Sequence, residues 1–150
     1  MNHTLRSAVL GMVLILASGN ADAAEDAREL VAMPPMMQQH MLGNMRDHLA
    51  ALDEILAALA AGDNGRAAEI AEHRLGMSSL QAHGAAHMAR VMPEGMRAAG
   101  ESMHHAASRF AIAAQNAEME SAERAAPLLF ESLQAITAAC NACHSSYRIR

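Results

Sequence analysis

The chain has 150 residues, with 16 acidic and 11 basic side chains and a net charge of −5 at neutral pH. That length is enough for one domain with a buried core, and an acidic balance without a basic patch argues against a nucleic-acid partner. Aromatics are 2% of the residues and tryptophan is absent. Strand-building runs are therefore missing, and the alanine-rich remainder favours helix.

The N-terminus reads as a targeting segment. Arg6 supplies a positive start, Ala8 to Ala17 is a short apolar run, and Ala21-Asp22-Ala23 is a small-residue cleavage site. These three parts predict a secretory signal peptide over 1–23, a mature domain over 24–150 and a periplasmic address. The apolar run is too short to span a bilayer, so no stable membrane insertion is expected after cleavage. Arg6 and Asp22 cancel, and the mature chain keeps its acidic balance. Such a surface suits a partner protein with a positive docking face.

Four helical segments follow. The first starts after Met33-Pro34-Pro35, where proline suits the first turn. It runs to about Ala61 and stops at the turn signal Gly62-Asp63-Asn64-Gly65. Met45, His48, Leu52, Ile55 and Leu59 step by threes and fours, with Leu42, Leu49 and Leu56 beside them. The second segment runs from about Arg66 to Arg90 and is weakened by Gly76 and Gly84. The third starts near Pro93-Glu94 and continues to about Asn116. The fourth starts near Ser121, carries Pro127 in its early turns or at a kink, and continues to Tyr147. Short connections predict an all-α, antiparallel up-down-up-down four-helix bundle.

The end of the fourth segment carries the chemistry. Cys140, Cys143 and His144 form C-x-x-C-H, the spacing for covalent attachment of one c-type haem. Two thiols three residues apart share one face of a helical turn, so each can add to one porphyrin vinyl group. The next residue is a histidine, which serves as the proximal iron ligand. Zinc would need further ligands of matching spacing, and a thioredoxin-like pair would need a βαβ context; neither is present. In the predicted bundle His144 faces the early first helix, which offers Met36, Met37, His40, Met41, Met45 and His48. A thioether suits low-spin iron and raises its potential.

An exported four-helix chain ending in C-x-x-C-H-x-x-Y-R, here Cys140 to Arg148, resembles the class II c-type cytochromes, the cytochrome c′ group, in their low-spin methionine-ligated form. The start of the first helix, Asn44-Met45 with Leu52 and Ile55, is also similar to that of the soluble periplasmic b-type four-helix cytochrome. These resemblances imply Met45 as the distal iron ligand, with Met41 and His48 as rivals. They also imply a homodimer through the first two helices and an arginine for the haem propionates. Met41 stands where the family often has that arginine, which leaves Arg46 and Arg148 for the task. His104, six residues before Phe110, takes a family position that packs on the haem.

The function expected is one-electron transfer between redox partner proteins, with His144 and Met45 holding the iron. A five-coordinate centre binding nitric oxide or carbon monoxide is the alternative, in which Met45 only packs. A second cluster holds His83 and His87, four apart on one expected helix face, followed by Met88, Met92, Met96, Met103, His104 and His105. Imidazoles and thioethers suit copper, so copper binding through His83, His87 and His104 is the other alternative. No carboxylate pair or nucleophile–base set suggests an enzyme.

Overall fold

The computed structural model describes residues 25–150. The signal peptide expected over 1–23 lies outside the described residues. The first element among the described residues is an exposed two-residue strand, β1 (Glu29–Leu30). Pro34 and Pro35 then open the first long helix, α1 (Pro35–Ala60). Both fit there because the first N–H groups of a helix have no intrahelical acceptor. Gly62 ends it in the left-handed region, at φ +74°, and Asp63 N reaches back to Ala58 O at 2.9 Å. Asp63 also caps α2 (Asn64–Ile70), its carboxylate accepting from Arg66 N at 2.8 Å.

The second segment departs from the continuous helix expected over 66–90. After α2 come a π-helical turn at Ala71–Leu75, a 3₁₀ turn at Met77–Ser79 and a four-residue helix, α3 (Ala85–Met88). Gly76 is extended, and a Cβ there would collide with the Glu72 side chain. Glu72 stitches the break together, accepting from Ser78 N at 3.1 Å and from Ser108 Oγ at 2.6 Å. Gly84 is left-handed, at φ +61°, a conformation costly for any residue with a Cβ. His83 and His87 therefore do not share a helix face. His83 is buried and His87 is exposed.

α4 (Glu94–Ala117) and α5 (Ala122–Ser146) are joined by a short turn and pack along each other as a hairpin. Ala107, Phe110, Ala114, Leu129, Leu133 and Ile136 belong to the main core, which Ile55 of α1 and Ala67 of α2 complete. Pro127 lies inside α5, near its exposed N-terminal end. A second, methionine-rich core sits at the other end. There Val31, Met41, Met88 and Met96 are buried, with Met45, Met92, Cys143 and Tyr147 packed against them. Thioethers fill such irregular space without aromatics.

The sequence predicts no strand, and helix through Tyr147. Instead α5 ends at Ser146, and β2 (Tyr147–Arg148) pairs in parallel with β1, Glu29 opposite Tyr147 and Leu30 opposite Arg148. Val31 N extends the ladder to Arg148 O at 2.8 Å. The described residues are predominantly helical, as expected of an all-α protein, but the broken second segment and the terminal ladder are not those of a simple four-helix bundle. Among the described residues no helix is long and apolar enough to cross a membrane.

Two glycines should respond oppositely to alanine. Gly84→Ala, at positive φ, is expected to destabilise the fold by about 1–2 kcal/mol. Gly43→Ala, within α1 and with nothing near its added Cβ, should stabilise it by about 0.5–1 kcal/mol. Chemical denaturation midpoints check both.

Candidate functional site

The C-x-x-C-H motif forms the last two turns of α5, and helix geometry puts Cys140 and Cys143 on one side of it. Both thiols are free and half-buried. Burial pushes both thiols up from their ordinary pKa, and Cys140 pushes Cys143 up further. They face a cavity of about 550 Å³, within the size range of small-molecule and cofactor sites. Ala139, Cys140, Cys143 and His144 of α5 line it on one side; Met41, Asn44, Met45 and His48 of α1 line it on another. Met88, Met92, Met96 and Met103 add thioether surface, and Arg97, Gly100 and Glu101 of α4 add polar and small residues.

The structure therefore brings Cys140, Cys143, His144 and Met45 to one cavity. Met41 and His48, the rival ligands, line it as well. Met41 is buried among Met88 and Met96, whereas Met45 is half-buried at the cavity wall. His144 is exposed, and its carbonyl accepts a long bond from Arg28 Nη1 at 3.4 Å.

The ladder is held by charge as well as by backbone. Asp26 takes two contacts from Arg28, at 2.9 and 2.7 Å, and Arg148 Nε approaches it to 3.5 Å. Arg28 lowers the Asp26 carboxyl to about 2, chiefly through these bonds. Tyr147 lays its hydroxyl on Gly95 at the start of α4, where a Cβ would clash. Arg148 lies 3.5 Å from Asp26, its buried Nε making no hydrogen bond among the described residues, and Arg46 is exposed. Neither lines the cavity. Arg97 is the arginine that borders the cavity. No motif singled it out, because its position follows from how α4 is set against α5.

Two rings of the cavity wall, His48 and His104, belong to a cluster that the sequence divided wrongly. His48 of α1, His83 of the broken segment and His104 of α4 lie together as tilted or edge-on rings, with centroids 4.7 Å apart for His48–His83, 5.5 Å for His83–His104 and 6.1 Å for His48–His104. His87 and His105 are exposed and outside it. The expected set of His83, His87 and His104 is thus replaced by His48, His83 and His104. The cause is the left-handed Gly84, which separates His83 from His87. His104 Nδ1 donates to Leu75 O at 2.7 Å, and His40 Nε2 donates to His83 O at 2.8 Å. Leu75 is positioned by its neighbour Arg74, which bridges Asp47 and Glu54 of α1 at 2.5 Å each. Among the described residues no group of three or more His, Cys, Asp or Glu side chains could hold a metal ion.

Burial keeps these imidazoles neutral. It lowers His48 to about 4, helped by the repulsion of His83 and His104, and it lowers His83 and His104 as well. A histidine whose folded pKa lies below its unfolded value, about 6.5, binds its proton more readily when unfolded. Its contribution is present above that value and is lost as pH falls toward the folded pKa. Stability should therefore decline between about pH 6.5 and pH 4, before the lowered carboxylates Asp47 and Glu72 titrate. Denaturation midpoints across that window should slope less in His48→Gln than in the parent.

The cavity also corrects the family resemblance. A histidine and a methionine lining one cavity are the ligand pair of class I haem c, not the five-coordinate, histidine-only centre of the class II cytochrome c′ fold. Membership of that class is therefore withdrawn. No family model, no curated protein and no solved structure matches the chain.

Proposed function

We propose that the chain is an exported c-type cytochrome that carries single electrons between redox partners. The observation that carries this reading is the convergence of Cys140, Cys143, His144 and Met45 on one methionine-lined cavity. The residues fit a haem. The two thiols are unpaired and stand at the wall of that cavity, and much of the lining is apolar. Arg97 at its edge offers a cation for a propionate.

In this reading Cys140 and Cys143 would hold the haem as thioethers, each S–H adding across one vinyl double bond, and His144 of α5 and Met45 of α1 would ligate the iron. The bound haem c supplies the ferric/ferrous couple. The chain supplies the rest. A thioether ligand and a largely apolar lining favour the reduced, less charged iron and raise the potential. Two protein ligands leave no position for an exogenous gas. His144 sits on α5, which packs along α4, and Met45 on α1, which packs on α2; these separate anchors would keep both ligands in place in either oxidation state.

The finer parts belong to the same proposal. The three-part N-terminal signature over 1–23 supports export to the periplasm and a mature chain from residue 24. The α4–α5 hairpin and the short α1–α2 turn support an antiparallel helical bundle closed by the motif. The net charge of −5 supports a redox partner with a positive docking face.

The purified protein should keep its haem through denaturing electrophoresis, and Cys140→Ala/Cys143→Ala should lose it. The oxidised parent should be low-spin with a sulfur-to-iron charge-transfer band in the far red. Met45→Ala should become high-spin without that band, and its potential should fall. Retention of the band in Met45→Ala would remove Met45 as the ligand, and Met41→Ala would then identify the rival.

A further inference from the structure

One side of α1 is committed to the core, through Met41, Ala51, Ile55 and Ala58. A second apolar row, Leu42, Leu49 and Leu56, recurs every seven residues one position further round the helix. Leu49 is 70% exposed and Leu56 49%, while Leu42 is half-buried. Single exposed leucines are ordinary, but a row at heptad spacing is the seam of a helix that pairs with another. Gly43, Ala50 and Ala57 form a small-residue row about 100° round from the leucines, and Gln39, Arg46, Asp53 and Ala60 lie between the rows, about 40° from the leucines.

The charges on this face select its occupant. The acidic and arginine side chains of α1 are Arg46, Asp47, Asp53 and Glu54. Arg74 holds Asp47 and Glu54 within the protein. Arg46 and Asp53 are exposed, and among the described residues neither has an ion-pair partner. Their signs are opposite, yet the helical rise keeps their backbones about 10 Å apart on one face, beyond the reach of i,i+3 and i,i+4 pairing. A second α1 running antiparallel satisfies both. A two-fold axis between Leu49 and Ala50 is midway between Arg46 and Asp53, so each arginine meets the aspartate of the other copy. The same axis sets Leu42 beside Leu56, Leu49 beside its own copy, and Gly43 beside Ala57, where small side chains let two helices approach closely. A parallel pair would set Arg46 on Arg46 and Asp53 on Asp53.

We propose that this face of α1 is self-complementary and seats a second copy of the chain, antiparallel, about a two-fold axis between Leu49 and Ala50. The homodimer implied by the resemblance uses the first two helices; this one runs along α1 alone and takes its direction from Arg46 and Asp53. The face from Gln39 to Ala60 is about 32 Å long and one helix wide, small beside the roughly 800 Å² per partner of a standard interface, so dimer and monomer exchange reversibly. None of its residues lines the haem cavity, and the contact stands or falls separately from the proposed electron carrier.

Sedimentation velocity of the purified protein from about 10 μM to 1 mM should show monomer passing to dimer and nothing larger. Leu49→Glu, at the axis, should leave a monomer. Arg46→Asp and Asp53→Arg each set like charges opposite one another and should weaken dimerisation by more than about tenfold. The double variant Arg46→Asp/Asp53→Arg should dimerise like the parent, and an equal mixture of the two single variants should form a dimer that neither forms alone. Circular dichroism checks that each variant keeps its helix. A parent that stays monomeric over the whole range leaves the face to a different protein and overturns the proposal. A dimer that survives Leu49→Glu, or a folded double variant that stays monomeric, overturns it as well.

Discussion

Everything at the motif end rests on the parallel pairing of Glu29–Leu30 with Tyr147–Arg148. A C-terminal motif on a helix end would ordinarily fray, since the last carbonyls of a helix lack partners. Here the chain turns from helix to strand at Tyr147, and the segment before α1 receives it. Asp26, Arg28 and Arg148 add charge to the backbone ladder, and Gln38 donates to the Ile149 carbonyl. The ladder ties the end of α5 to the start of α1. Cys143 and Met45 can then share a cavity although the helices carrying them are not adjacent in sequence.

The broken second segment is the other determinant. A continuous helix over 66–90 would carry His83 and His87 together on one face. The extended Gly76, the left-handed Gly84 and the Glu72 bonds instead fold the chain back toward α4. The π turn sets Arg74 against two carboxylates of α1 and Leu75 against His104. One local irregularity thereby links α1, the connecting segment and α4 next to the cavity. Buried neutral imidazoles add the acid sensitivity that an alanine core alone would lack.

Much of the architecture could be read from residue order because helix signals are local. Pro34-Pro35, Gly62 and the three-and-four spacing marked α1 to within one or two residues, and the cysteine spacing is that of covalent haem attachment. The misses share a cause: each depended on a partner far away in the chain. Tyr147 reads as helix until β1 is present to pair with it. Gly76 and Gly84 read as weak points in a helix; the break at Gly76 is held by Glu72 with Ser108, 36 residues beyond it, and Gly84 lies against His40 of α1. Arg97 gains its place from the α4–α5 packing and has no motif. The family resemblance failed for a related reason. A terminal C-x-x-C-H specifies an attachment chemistry, while the class depends on what stands opposite the histidine.

The scarcity of aromatics, which first pointed to helix, also gives the molecule a single optical reporter. Tyr147 is the one tyrosine and there is no tryptophan, so near-ultraviolet emission comes essentially from one ring. That ring packs in the same small cluster as Cys143 and rests on Gly95. A chromophore bonded at Cys143 would sit well within energy-transfer range of it. A protein loaded in that way would be dark and the unloaded chain bright, so that maturation of the site could be followed by native fluorescence without any added label.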